Sequence, residues 1–133
     1  MTKGKCLLLS ALWFLSSGCG AMLLAGAGAA AGIAGYKFYE GALIVVYEAP
    51  FKKTWDASRQ ALKEMDCTIE RSQHDITSGT IWAEFQDGKP VNLKLNYESS
   101  EKTKVIIRVG VFGEKEASHI VKEKIRKILF EKT

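Results

Sequence analysis

The side chains able to do chemistry are few, and they are badly spaced to do it together. The 133 residues include three cysteines and two histidines. Cys6 and Cys19 lie in a charge-free N-terminal run, which leaves Cys67 without a disulfide partner in the rest of the chain. Cys67 would need a neighbouring base to act as a nucleophile, and it begins a predicted buried strand with none in view. His74 falls in a predicted turn and His119 on a predicted helix surface. Neither has Cys, Asp or Glu at metal-ligand spacing beyond the adjacent Asp75. Glu114 and Glu116 read as charges at a helix start, where the macrodipole favours acids. No phosphate-binding or dinucleotide glycine pattern occurs. The sequence therefore predicts no catalytic residue, no metal site and no cofactor. What remains is the thiol of Cys19 and a set of outward-facing side chains: Trp82, Ile106, Phe112 and Arg108.

The setting of Cys19 is the most specific feature of the chain. Met1 to Lys5 is short and basic. Cys6 to Leu15 is apolar, of the length a secretory signal needs and too short to span a bilayer alone. Small residues follow, giving Leu15-Ser16-Ser17-Gly18-Cys19-Gly20. This resembles the lipobox of bacterial lipoproteins, with Ser16 at the position usually held by Leu and Leu15 one place earlier. The resemblance implies that a diacylglyceryl group is attached to the Cys19 thiol. Cleavage would follow between Gly18 and Cys19, and then acylation of the new amine. Gly20 in place of Asp implies, by the same resemblance, the inner leaflet of the outer membrane, facing the periplasm.

The expected organisation is a signal peptide over 1–18, a lipidated Cys with a Gly/Ala-rich tether over 19–40, and a folded domain over 41–133. Gly28 and Gly32 have the GxxxG spacing of closely packed membrane helices. Together with the lack of charge from Cys6 to Tyr36, this keeps a second organisation open, in which the N-terminal segment is an uncleaved, self-associating membrane anchor. Tyr36-Lys37-Phe38-Tyr39 is an aromatic and basic cluster of the kind found at a membrane–water boundary, or else a plain linker.

Charge excludes one class of partner. The formal net charge is +4, and leaving out Lys3 and Lys5 lowers it to about +2, spread evenly. That is too weak and too interspersed for nucleic acid. The remaining residues, about 95, suffice for one small core.

Periodicity predicts the elements that carry these side chains. Ala42 to Tyr47 is rich in β-branched residues and reads as a strand. Pro50 suits a helix start, and Phe51, Trp55, Ser58, Leu62 and Met65 form one stripe of a helix running to Met65. Trp55 is read as core. A strand follows over 67–73, then one over 80–86 that alternates Ile81, Ala83 and Phe85 against Thr80, Trp82 and Glu84. Asp87-Gly88 marks a hairpin. Val91, Leu93, Leu95 and Tyr97 alternate with polar residues in the next strand. Val105, Ile107, Val109 and Val111 form the inner phase of the last one. Ala117, Ile120, Val121, Ile125, Ile128 and Leu129 stripe a final helix.

The predicted fold is α+β: a two-layer sandwich of β-α-β-β-β-β-α order. It has a five-stranded antiparallel sheet, in order 2-3-4-5-1, with two helices on one face. Trp82 and Ile106 then fall on the opposite face, among Thr80, Glu84, Lys94, Lys104 and Arg108. They are either scattered exposed residues or a surface for a protein partner, which Phe112 would join. The pattern resembles the helix-grip domains of outer-membrane assembly lipoproteins. Cys19, the Gly/Ala stretch, Tyr36-Lys37-Phe38-Tyr39 with Gly41, Trp55 with Ala61-Leu62, and Ile107-Arg108-Val109-Gly110-Val111-Phe112-Gly113 also make the chain similar to a family of small bacterial lipoproteins of unknown function. The resemblance implies a lipid-anchored envelope domain with no established activity. A small-molecule carrier or enzyme, with its cavity between helices and sheet, is the remaining class.

Overall fold

The structure, a computed structural model, describes residues 32–131. Cys19, Gly28 and the expected signal lie outside the described residues. Gly32–Thr133 forms one compact unit. Its elements are β1 (Ile33–Tyr39), β2 (Ala42–Tyr47), α1 (Phe51–Glu64), β3 (Thr68–His74), β4 (Ser78–Glu84), β5 (Pro90–Ser99), β6 (Lys102–Val109) and α2 (Lys115–Phe130). All strand pairs are antiparallel, in the order β1-β2-β6-β5-β4-β3. Both helices cover one face. Among the described residues no helix is long and apolar enough to cross a membrane.

The sheet has six strands rather than the expected five, and its order changes accordingly. The additional strand, β1, runs through the segment read as tether and boundary cluster, so the strand at Ala42 is not an edge. A two-residue turn joins it to β2. Glu40 and Gly41 both have positive φ, 49° and 81°, the geometry of a hairpin turn whose twist matches its strands. Upstream, the Glu48 N–H donates to the Gly32 carbonyl at 2.7 Å. Gly32 itself has φ 87°.

Alternation supplies the core. Leu43, Val45 and Tyr47 from β2, Val105, Ile107 and Val109 from β6, Leu93 and Leu95 from β5, and Ile81 from β4 are buried beneath Trp55, Leu62, Val121 and Ile125 of the helices. Burying each such aliphatic side chain stabilises by about 1.5–3 kcal/mol. The Tyr47 hydroxyl donates to the Lys122 carbonyl at 2.8 Å, tying β2 to α2. Burial pushes this phenol well above its ordinary pKa, with the charge of Glu123 adding to the shift. The Thr103 hydroxyl donates to the Ala49 carbonyl at 2.9 Å, which satisfies a buried polar pair where β2 turns toward α1.

Three expected core positions are exposed. β6 ends at Val109, and Gly110 at φ 80° turns the chain away, leaving Val111 at 76% exposure. Ile120 is 60% exposed, because the inner stripe of α2 runs through Ser118, Val121, Lys122 and Ile125 instead. Tyr97 is on the inner phase of β5 but close to the strand's end, where it borders an open groove.

Candidate functional site

The outer face of the sheet is read from its cross-strand registers. One row runs Arg71, Trp82, Asn92, Arg108. The next runs Thr80, Lys94, Ile106, Ile44, Lys37, and the third runs Ser78, Asn96, Lys104, Val46, Gly35. Trp82 and Ile106 both lie on this face, half-buried, as alternation requires. They do not touch through a shared row, since β5 separates them with Asn92 opposite Trp82 and Lys94 opposite Ile106. The Trp82 ring is covered instead by the Arg71 guanidinium, 4.1 Å from its centroid, a cation–π contact.

Arg108 shares Trp82's row but reaches sideways. Its Nη2 donates to the Glu40 carbonyl at 2.9 Å, bracing the β1–β2 turn. Phe112 is not part of this face. It sits in the loop between β6 and α2 at 92% exposure. There its carbonyl and Gly113 lie against Gly41.

Two apolar residues of this face escaped sequence reading. Ile44 is paired with Ile106, and Val46 follows on the same phase. The run Ala-Leu-Ile-Val-Val-Tyr is apolar throughout, so its periodicity does not say which phase faces out. Only the burial of Leu43, Val45 and Tyr47 does so. Ile44, Val46 and Ile106 form a contiguous patch flooring a cavity of about 410 Å³, with Lys37 and Lys104 beside it. Gly35 borders the cavity without a side chain. A Cβ there would meet nothing within 4 Å. Lys104 pairs with Glu98 at 3.1 Å.

The residues with chemical potential are individually accounted for. Cys67 is buried, and burial followed by the nearby Asp66 charge pushes its thiol up, away from the reactive thiolate. The His74 ring packs on Trp55, 4.6 Å between centroids, and its Nδ1 lies 2.9 Å from the Asp75 carbonyl. His119 meets Tyr36 edge to face at 5.5 Å. Burial lowers its pKa, as do the nearby Lys122 and Lys115. Glu114 is engaged by Lys89 at 3.0 Å. Glu84 is held above its ordinary value by a hydrogen bond and charge interaction with Glu70. Among the described residues no three His, Cys, Asp or Glu side chains converge to hold a metal.

A second cavity, about 790 Å³, opens between α1 and the β3–β4 turn. Phe51, Trp55, His74, Ile76 and Tyr97 line it with Arg59, whose buried Nε has no hydrogen-bond partner among the described residues. Trp55 lies so close over Gly79 that a Cβ at that position would collide with the ring. The wall is built by an Asx turn: the Asp75 carboxylate accepts from the Thr77 and Ser78 N–H groups at 2.7 and 2.9 Å, lifting Ile76 into solvent. Lys52, Asp56 and Asp75 also border the groove, so it offers apolar contact beside charges of both signs.

The outer face is thus the surface where apolar contact and excess positive charge coincide. Over residues 5–128 the chain matches a family described as "Protein of unknown function (DUF3568)". No curated protein matches it.

Proposed function

Taking as premise that the chain belongs to the DUF3568 family, we propose that it is a non-catalytic, lipid-anchored binding domain of the bacterial envelope. Cys19 carries the lipid, at the inner leaflet of the outer membrane, and the outer face of the sheet holds a protein partner. The observation that carries the anchor is the uncharged run from Cys6 to Gly18 ending in small residues before Cys19. The family match begins at Lys5, immediately before that run, and continues into α2, so it takes in both the run and the domain. The two-layer arrangement is also the ground for likening the domain to the helix-grip modules of outer-membrane assembly lipoproteins. Several acyl chains, each methylene worth about 0.8 kcal/mol when buried, anchor stably where a single one would not.

Metabolic labelling with a clickable palmitate analogue tests this. Wild type should be labelled and Cys19→Ala should not, and the intact mass should correspond to a chain beginning at Cys19. A product that retains Met1 and carries no lipid would overturn the anchor. The competing reading is a membrane-integral oligomer associating through Gly28 and Gly32, and a product that retains Met1 and carries no lipid would favour it.

A further inference from the structure

The basic and apolar outer face runs up to a strand that, among the described residues, pairs on one side alone. β1 ends the sheet. Tyr39 and Ala42 flank the two-residue turn, which makes them a hydrogen-bonded pair. Alternation then makes Lys37–Ile44 and Gly35–Val46 the next such pairs. It turns the N–H and C=O groups of Tyr36 and Phe38 away from β2. Among the described residues, a row of backbone donors and acceptors without a strand partner therefore runs along the outer side of β1. The opposite edge, β3, is broken by a register shift between Ile69 and Arg71, which interrupts its ladder beside two charged residues, Glu70 and Arg71. The irregularity in β1 lies between Ile33 and Gly35, upstream of Tyr36 to Tyr39.

The side chains beside this edge specify what would pair with it. A strand laid antiparallel on β1 places alternate side chains on the outer face, opposite Gly35 and Lys37. The one opposite Gly35 faces the cavity over Ile44, Val46 and Ile106. Its neighbours on that face meet Lys37, with Lys104 and Lys94 beyond; of these lysines only Lys104 has a carboxylate partner among the described residues, Glu98 at 3.1 Å. We propose that β1 is a docking edge for an extended, acidic segment of another protein. The segment adds as a seventh strand, seats one apolar side chain in the gap over Gly35, and sets a carboxylate against Lys37, which has no carboxylate partner among the described residues. Main-chain bonds give such strand addition its affinity and the gap gives it specificity.

Other occupants fit less well. A second copy centred on Tyr36 would bring its own Lys37 opposite Gly35, beside Lys104, and juxtapose like charges. An anionic bilayer would answer the lysines but leave the backbone groups of Tyr36 and Phe38 unpaired. The inference rests on the domain being a binding module and is independent of Cys19, so Cys19→Ala should leave it intact.

Selection from a random peptide library on the full chain in detergent tests it. The recovered peptides should alternate apolar residues with Asp or Glu. Once synthesised, they should slow amide exchange at Tyr36 and Phe38 but not along β3. Tyr36→Pro removes an outward N–H that β2 does not use and should abolish binding, whereas Tyr36→Ala, which keeps it, should bind. Gly35→Leu fills the gap and should weaken binding about tenfold, as for the loss of one buried side-chain contact. Lys37→Glu should weaken it about fivefold. A melting curve shows that each variant is folded. The proposal is overturned if folded Tyr36→Pro binds like wild type, or if the recovered peptides lack acidic residues. It is also overturned if the edge instead supports self-association that Tyr36→Pro abolishes, or binding to phosphatidylglycerol vesicles that survives it.

Discussion

Gly113→Ala should be among the most damaging single-methyl additions in the domain. Gly113 has φ 77°, and a Cβ built on it runs into the carbonyl oxygen and Cα of Gly41. Both obstacles are backbone. Relief therefore requires the loop after β6 and the β1–β2 turn to separate, which also stretches the bond from Arg108 to the Glu40 carbonyl, 2.9 Å long. The left-handed conformation costs an alanine about 1–2 kcal/mol, and losing a hydrogen bond to a charged donor costs about 1.5 kcal/mol more. A total near 3 kcal/mol corresponds to a fall in Tm of about 12–24 °C for a domain of this size.

Two companion glycines separate the causes. Gly110→Ala has a similar φ, 80°, but its Cβ meets the flexible carboxylate end of Glu114, so only the conformational cost of about 1–2 kcal/mol remains. Gly35→Ala enters open space at an unexceptional φ and should be neutral or slightly stabilising, through the unfolded chain. Thermal or urea unfolding of the three variants decides the matter. If Gly113→Ala costs no more than Gly110→Ala, the two turns do not bear on each other, and the bracing of β1 by the opposite loop is wrong.

Trp55→Ala, at the packed face of α1, should cost about 3–5 kcal/mol. Trp82→Ala, half-buried beneath Arg71, should cost about 1 kcal/mol; equal losses in a melting series would show that the faces are misassigned. By NMR titration Asp75 should titrate below the usual carboxylate range, held there by the N–H groups of Thr77 and Ser78. Its contribution to stability is present above about pH 3.9 and is lost as the pH falls through the lower folded value. Glu84 should titrate above that range because of Glu70. Its contribution runs the other way, present at low pH and lost as the pH rises through the folded value. Cys67 should react with a thiol reagent only slowly until the domain unfolds, since it is buried with its thiol pushed up. Fast labelling of the folded protein would contradict its packing.

Much of the architecture was legible because alternation is a local property. Val91, Leu93 and Leu95 against Asn92, Lys94 and Asn96 specify a half-buried strand whatever lies beside it. The stripe of Phe51, Trp55 and Leu62 likewise specifies a helix with one buried face. Trp82 and Ile106 fall on the outer phase for the same reason. The lipidation expectation at Cys19 belongs to sequence alone, since that residue lies outside the described part of the structure.

Tertiary structure decided what depends on neighbours from elsewhere in the chain. β1 has no clean period: Ala34 and Gly35 carry little side chain, and its turn is Glu40-Gly41 in place of the more telling Asn-Gly. It is a strand because β2 offers it an edge and Gly41 fits against Gly113. Ile44 and Val46 became surface residues because the helices cover the other phase of an apolar run that is ambiguous by itself. Val111 and Phe112 left the sheet because Gly110 turns the chain. The row that sets Lys94 beside Ile106 while Trp82 stands in the neighbouring row beside Asn92, and the gap over Gly35 that the Ile106–Ile44 patch floors, are products of register across strands distant in sequence. No local periodicity encodes that quantity.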